Sequence, residues 1–88
     1  MRLDRYLFFI RLVKSRTLAQ GLIEAGHVRL DGKRVGKTSE EVRVGQVIAL
    51  PLHGNVRVIR VTALPSRRGP APEAQRHYEE IDEGKLAT

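Results

Sequence analysis

Lys14-Ser15-Arg16 has the clearest chemistry in the chain: a small hydroxyl residue between two cations, placed where an amphipathic helix begins. Free backbone N–H groups and the positive end of the helix dipole favour an anion at such a start. With two flanking cations the pattern is that of a phosphate site. Ser15 also suits the N-cap, and a purely capping role with the cations in solvent is the competing reading. A second cluster lies downstream. Asp31-Gly32 signals a two-residue type I′ hairpin turn, because both central positions of that turn need positive φ. The turn sets Leu30 opposite Lys33, Arg29 opposite Arg34 and Val28 opposite Val35. Val28 and Val35 then face a core, and Arg29 and Arg34 stand together on the other side. Like charges directly across a strand pair are destabilising by a few tenths to roughly 1 kcal/mol. A phosphate bridging the two arginines removes that penalty; two side chains splaying apart is the alternative. Only one helix length separates the clusters, so both can line one surface, with Arg16 and Gln20 on the exposed helix face between them. Arginine also suits stacking on unpaired bases.

Other chemistries fit less well. Gly32-Lys33-Arg34-Val35-Gly36-Lys37-Thr38 resembles a phosphate loop, but it has three residues between the glycines where the motif needs four, and it crosses a hairpin instead of joining strand to helix. His27, His53 and His77 fall in different elements without ligand spacing, and the chain has no cysteine, so neither a metal site nor a nucleophile is expected. His27, alternating outward with Arg29, is in position to touch a ligand or simply be solvated. Glu40-Glu41 and Glu79-Glu80 read as solvating charge. The aromatics Tyr6, Phe8 and Phe9 fall in a buried helix pattern, which argues for recognition of backbone shape and not for a platform of stacked bases. The sequence thus predicts a non-catalytic protein with no cofactor.

The elements that must position these residues are legible from periodicity. Leu3, Leu7 and Ile10 recur at i, i+4 and i+7, with Tyr6, Phe8, Phe9, Leu12 and Val13 around them, predicting a short buried helix with Arg2, Arg5 and Arg11 at its polar edge. After Ser15, a second helix carries Leu18, Ala19, Leu22 and Ile23 on one face and Arg16, Gln20 and Glu24 on the other, and Gly26 ends it in the left-handed conformation. His27 to Leu30 and Lys33 to Val35 form the hairpin; Gln46 to Leu50 and Val56 to Val61, separated by a loop over 51–55, add two strands. From Ser66 the texture becomes that of a linker. Pro72 then opens a final helix with Ala74, Tyr78 and Ile81 on one face, ended by Gly84. The expectation is an α+β fold, with two N-terminal helices on a mainly antiparallel sheet of about four strands and a C-terminal helix. Residues 1–65 form the domain, and residues 66–88 the linker and short helix.

Composition narrows the partner. At 88 residues there is room for one small domain. The charge of +6 is unevenly spread: residues 1–37 hold nine Lys/Arg against Asp4, Glu24 and Asp31, a net of +6, whereas residues 38–65 carry +1 and residues 66–88 carry −1. A polyanion meets its concentrated field in the first two-fifths of the chain. Charges scattered through the N-terminus predict neither signal peptide nor membrane span, hence a soluble, unexported chain that makes no use of a membrane.

Arg2-Leu3-Asp4-Arg5-Tyr6-Leu7, Leu12-Val13-Lys14-Ser15-Arg16-Thr17-Leu18-Ala19, Ile23-Glu24-Ala25-Gly26-His27-Val28 and Leu30-Asp31-Gly32-Lys33-Arg34-Val35 together resemble the S4 RNA-binding domain in order, spacing and residue type. The tail from Arg67 to Ala74, followed by Tyr78-Glu79-Glu80, is similar to that of the small bacterial heat-shock S4 proteins of the fifteen-kilodalton class. The resemblance implies an S4-like fold, the alpha-L motif. It also implies a cytoplasmic, ribosome-associated monomer that binds ribosomal RNA of the large subunit, particularly a subunit holding a nascent chain on tRNA after stalled translation; ribosome quality control is the related process. Carried over by position, the RNA contacts are Arg2, Arg5, Lys14, Ser15, Arg16, Gln20, Arg29, Lys33 and Arg34. The chain departs from the longer heat-shock members in its acidic tail. Two other functions compete. A DNA-binding helix-turn-helix regulator would share the basic turn between two short helices, and an RNA-targeting subunit of a separate enzyme would share the S4 pattern.

Overall fold

The computed structural model describes residues 1–81. Helix α1 spans Leu3–Phe9 and α2 spans Arg16–Glu24. Strands β1 (Arg29–Leu30), β2 (Lys33–Arg34), β3 (Val47–Leu52) and β4 (Asn55–Val61) follow, then a one-turn helix α3 (Ala71–Ala74), a 3-10 turn (Gln75–His77) and strand β5 (Tyr78–Glu80). The sheet is antiparallel throughout, in the order β2-β1-β3-β4-β5.

Local chemistry explains the elements. Arg11 adopts φ 63, a left-handed turn just beyond α1 that returns Leu12 and Val13 to the core. Ser15 caps α2, its Oγ accepting from the Leu18 N–H at 3.1 Å, and Gly26 at φ 81 ends the helix as its lack of a Cβ permits. The first hairpin has the expected turn and register: Asp31 and Gly32 both have positive φ, Arg29 faces Arg34, and Leu30 faces Lys33. The loop expected over 51–55 is tighter than its sequence suggests. Strands β3 and β4 run on through Leu52 and Asn55, and His53-Gly54 turn the chain with φ 52 and 80, a second hairpin turn of the same kind.

Leu3, Tyr6 and Leu7 of α1 and Ala19 and Ile23 of α2 pack with Val28, Leu30, Ile48, Leu50, Ile59 and Val61 from one face of the sheet. Leu18, expected on the buried face of α2, is instead 52% exposed.

The C-terminal region departs from expectation. The helix opened by the prolines lasts one turn, and Tyr78–Glu80 is a strand on the β4 edge. Glu79 and Glu80, read as solvating charge, pair with Arg60 and Arg57 across that edge, and Tyr78 packs against the core opposite Val61. An open strand edge has unpaired backbone groups to satisfy. Three residues with matching cross-strand partners satisfy them, which the weak one-turn helix does not. The sheet therefore has five strands where about four were expected. The expected helix end at Gly84 lies outside the described residues.

Candidate nucleic-acid interface

Asp4 organises the first cationic cluster, and it is a fully buried acid. Its Oδ1 accepts from the Arg5 N–H at 2.8 Å and Arg2 Nε at 3.1 Å; its Oδ2 accepts from Arg2 Nη2 at 3.2 Å, Gln20 Nε2 at 3.0 Å and Arg16 Nη2 at 3.3 Å. Burial pushes the carboxyl up, but the bonds from Gln20, Arg2, Arg16 and the Arg5 backbone outweigh it and hold Asp4 below the usual aspartate value. The acid sets two guanidiniums and an amide in one place while each arginine side chain stays partly in solvent, Arg2 at 43% and Arg16 at 38% exposed, with Arg16 Nε buried and unbonded. Arg2 also reaches Thr38 Oγ1 at 3.4 Å, and the carbonyls of Thr38 and Glu40 accept from the Asp4 and Leu3 N–H groups, so the loop after the first hairpin closes the start of α1.

Three of the residues expected at the surface, Arg2, Arg16 and Gln20, are thus joined through one carboxylate. Arg5 and Lys14 are exposed nearby in sequence and make no ion pair or side-chain hydrogen bond among the described residues. Ser15, beside them, uses its hydroxyl as the cap.

The second cluster lies at the other end of α2, whose nine residues span about 13 Å. Arg29 and Arg34 are direct partners on the sheet face turned away from the core, because Val28 and Leu30, one residue to either side of Arg29, are both buried. Lys33, grouped with them from sequence, pairs with Leu30 and so projects toward the opposite face. The Arg34 stem lies over the end of α2: a Cβ placed on Gly26 would come within 3.2 Å of Arg34 Cδ. Arg29, Arg34, His27 and Gly26 border an open groove of about 280 Å³ whose floor includes Ala49, Pro51 and Val56.

Several cations elsewhere in the chain are engaged, although Arg43 and Arg76 are exposed and make no ion pair among the described residues. Arg57, Arg60 and Arg67 are bridged to Glu80, Glu79 and Glu73. Arg68 donates to the Phe8 carbonyl at 3.0 Å with its guanidinium 4.3 Å from the Phe8 ring centre, and Arg11 donates to the Gly69 carbonyl at 2.6 Å. Among the described residues no group of three or more His, Cys, Asp and Glu side chains is placed to hold a metal, and no helix is long and apolar enough to cross a membrane.

Asp4 is the organising residue of the candidate site that reading by charge missed, since it counted only against the positive total. Its signal was its position: an acid three residues before Leu7, on the apolar side of a helix start flanked by Arg2 and Arg5.

Comparison with known proteins agrees with this geometry. The family model of the S4 domain matches residues 1–48. The heat shock protein 15 homolog of Haemophilus influenzae is 37% identical over 82 residues, covering 93% of this chain and 62% of that protein. The small ribosomal subunit protein uS4 of Lacticaseibacillus casei is 51% identical over 49 residues, 56% of this chain and 24% of that protein. The trimeric structure of Vibrio cholerae heat shock protein 15 superposes with a TM-score of 0.90 at 33% identity, covering 99% of this chain and 87% of that one. The chain spans about 62% of the length of the curated heat shock protein 15 relatives it matches.

Proposed function

The chain belongs to the S4 domain family, among the relatives of heat shock protein 15, and from that premise we propose that it is a non-catalytic protein that binds structured ribosomal RNA through residues 1–37. One observation carries the reading: the exposed cations without an acidic partner concentrate in the first 37 residues. Arg5, Lys14, Arg29, Lys33, Arg34 and Lys37 have none among the described residues, against Arg43 and Arg76 in the later part, where Arg57, Arg60 and Arg67 are each neutralised by a glutamate. Unpaired cations on a folded surface release condensed counterions when they meet a phosphate backbone; paired ones have little to gain. The nine contact residues are those carried over by resemblance, Arg2, Arg5, Lys14, Ser15, Arg16, Gln20, Arg29, Lys33 and Arg34, with Asp4 holding three of them in place.

The finer reading is the large ribosomal subunit, in rescue of subunits that retain a nascent chain on tRNA. One relative is a small-subunit protein by name, so the test must separate the subunits. Tagged protein is sedimented with dissociated subunits at physiological salt, with duplex DNA as competitor. Co-migration with the large subunit that DNA does not displace is expected. Co-migration only with the small subunit overturns the finer reading, and preference for duplex DNA overturns the whole. The solved relative is trimeric by its description. For this chain a monomer is expected, and analytical ultracentrifugation showing a trimer would correct it.

A further inference from the structure

The groove on the outer face of the sheet has a composition that phosphate binding alone does not explain. Its rim carries Arg29 and Arg34, which stand directly opposite each other with no acid between them among the described residues. Its floor is apolar: Ala49 lies beside Arg29 in the register, Pro51 follows two residues on, and Val56, paired with Pro51, is 56% exposed. All five side chains project from the same face of the sheet, because directly paired residues share a face and so do residues two apart. A surface meant only for phosphates has no use for an exposed valine and proline beneath its arginines, and a surface meant only for solvent gains nothing from two like charges held in register. The volume, about 280 Å³, is just under the roughly 300 Å³ at which sites for drug-sized ligands begin. It suits one small planar group. An unpaired base presents an apolar face to Ala49, Pro51 and Val56, while its flanking phosphates lie within the reach of two guanidiniums.

We propose that this groove seats one unpaired RNA base, extruded from a stem, with Arg29 and Arg34 on the phosphates beside it. The inference rests on the RNA-binding reading and adds a structural preference to it: a bulged or looped nucleotide is selected over a continuous helix. The seat lies beyond the C-terminal end of α2, so it is separate from the cluster around Asp4.

Two RNA stems of equal length, one fully paired and one with a single bulged 2-aminopurine, separate the inference from the function. The full 88-residue chain is expected to bind the bulged stem about tenfold more tightly, the fold-change that one modest stacking contact supplies, with a change in 2-aminopurine fluorescence on binding. Ala49→Leu fills the floor without altering a charge and should abolish the preference while leaving affinity for the paired stem unchanged. Arg29→Lys keeps the charge and gives up the planar fork, and should lower the preference in the same way. Equal binding of both stems by the unaltered protein, or an Ala49→Leu variant that retains the preference, overturns the seat while RNA binding stands. Binding to neither stem overturns the RNA reading itself.

Discussion

A carboxylate that takes hydrogen bonds from two arginines, a glutamine and a backbone N–H cannot be replaced by its amide without putting a donor where a donor already points. Asp4→Asn is therefore expected to lower stability by about 2 to 3 kcal/mol, within the range for breaking a buried, charge-assisted network and toward its low end because Arg2 and Arg16 remain partly solvated. Urea denaturation at neutral pH measures it. The same residue gives an acid limb. Its native pKa lies below the ordinary value near 3.8 that the unfolded chain retains, so unfolding takes up a proton once the pH falls toward that value. Asp4's contribution is complete well above pH 4 and fades as the pH drops through its native value. The urea midpoint should fall more steeply below about pH 4 in the parent than in Asp4→Asn, and parallel profiles would show that Asp4 is not the titrating group. Tyr6 has no such consequence near neutrality. Burial, with Tyr78 close by, raises its hydroxyl further above the usual tyrosine value, and it serves as a neutral donor to the His77 carbonyl at 2.8 Å.

At the level of elements, Gly26 and Gly32 offer a matched pair, both at φ 81. An alanine at either is strained by about 1 to 2 kcal/mol in the left-handed region. At Gly32 the new Cβ meets open space, whereas at Gly26 it presses on the Arg34 stem. Both variants should lose comparable stability, and Gly26→Ala alone should also weaken RNA binding, read by titration against one stem; equal affinity in the two variants would show that Arg34 is not held by this contact. The elements that sequence revealed are those whose signal is local. The Ser15 cap, the Gly26 stop and the Asp31-Gly32 turn each follow from one or two residues, and the Arg29 to Arg34 register follows from the turn. What stayed hidden depends on distant partners. Tyr78-Glu79-Glu80 reads as helix by spacing and becomes strand because Arg57, Arg60 and Val61 wait on an open edge some twenty residues earlier. Asp4 reads as a minor offset to the positive charge until Arg16 and Gln20 fold over it. His53-Gly54 lacks the favoured Asn or Asp, so its turn was legible only as a loop. Residues past 65 are tied back to α1 and the turn after it by Tyr6 to His77, Arg68 to Phe8 and Arg11 to Gly69. Ending the chain at Pro65 should therefore cost about 2 kcal/mol or more, a melting temperature lower by roughly 8 °C at this size. A shortened chain melting like the parent would instead make residues 66–88 a separable appendage.

Over the whole molecule, the segregation of charge is a matter of pairing as much as of number, and salt dependence is the property that distinguishes the two. Arg34 and Arg60 are both exposed arginines on the outer face of one sheet, in strands at opposite sides of β1 and β3. Arg34 has no acidic partner among the described residues, while Arg60 holds Glu79 at 3.0 Å. If phosphate contact follows the unpaired cations, Arg34→Ala should reduce the slope of log affinity against log salt by about 0.7 to 0.9, one counterion's share. Arg60→Ala should leave that slope unchanged, although the two substitutions alter net charge equally. Arg16→Ala is the mixed case. It removes a cation from the expected surface and one of the donors holding Asp4, so its slope should fall as for Arg34→Ala while its urea midpoint falls as well, which Arg34→Ala should not show. Equal slopes for the Arg34 and Arg60 variants would mean that RNA senses only the total charge, and the assignment of the interface to residues 1–37 would fail.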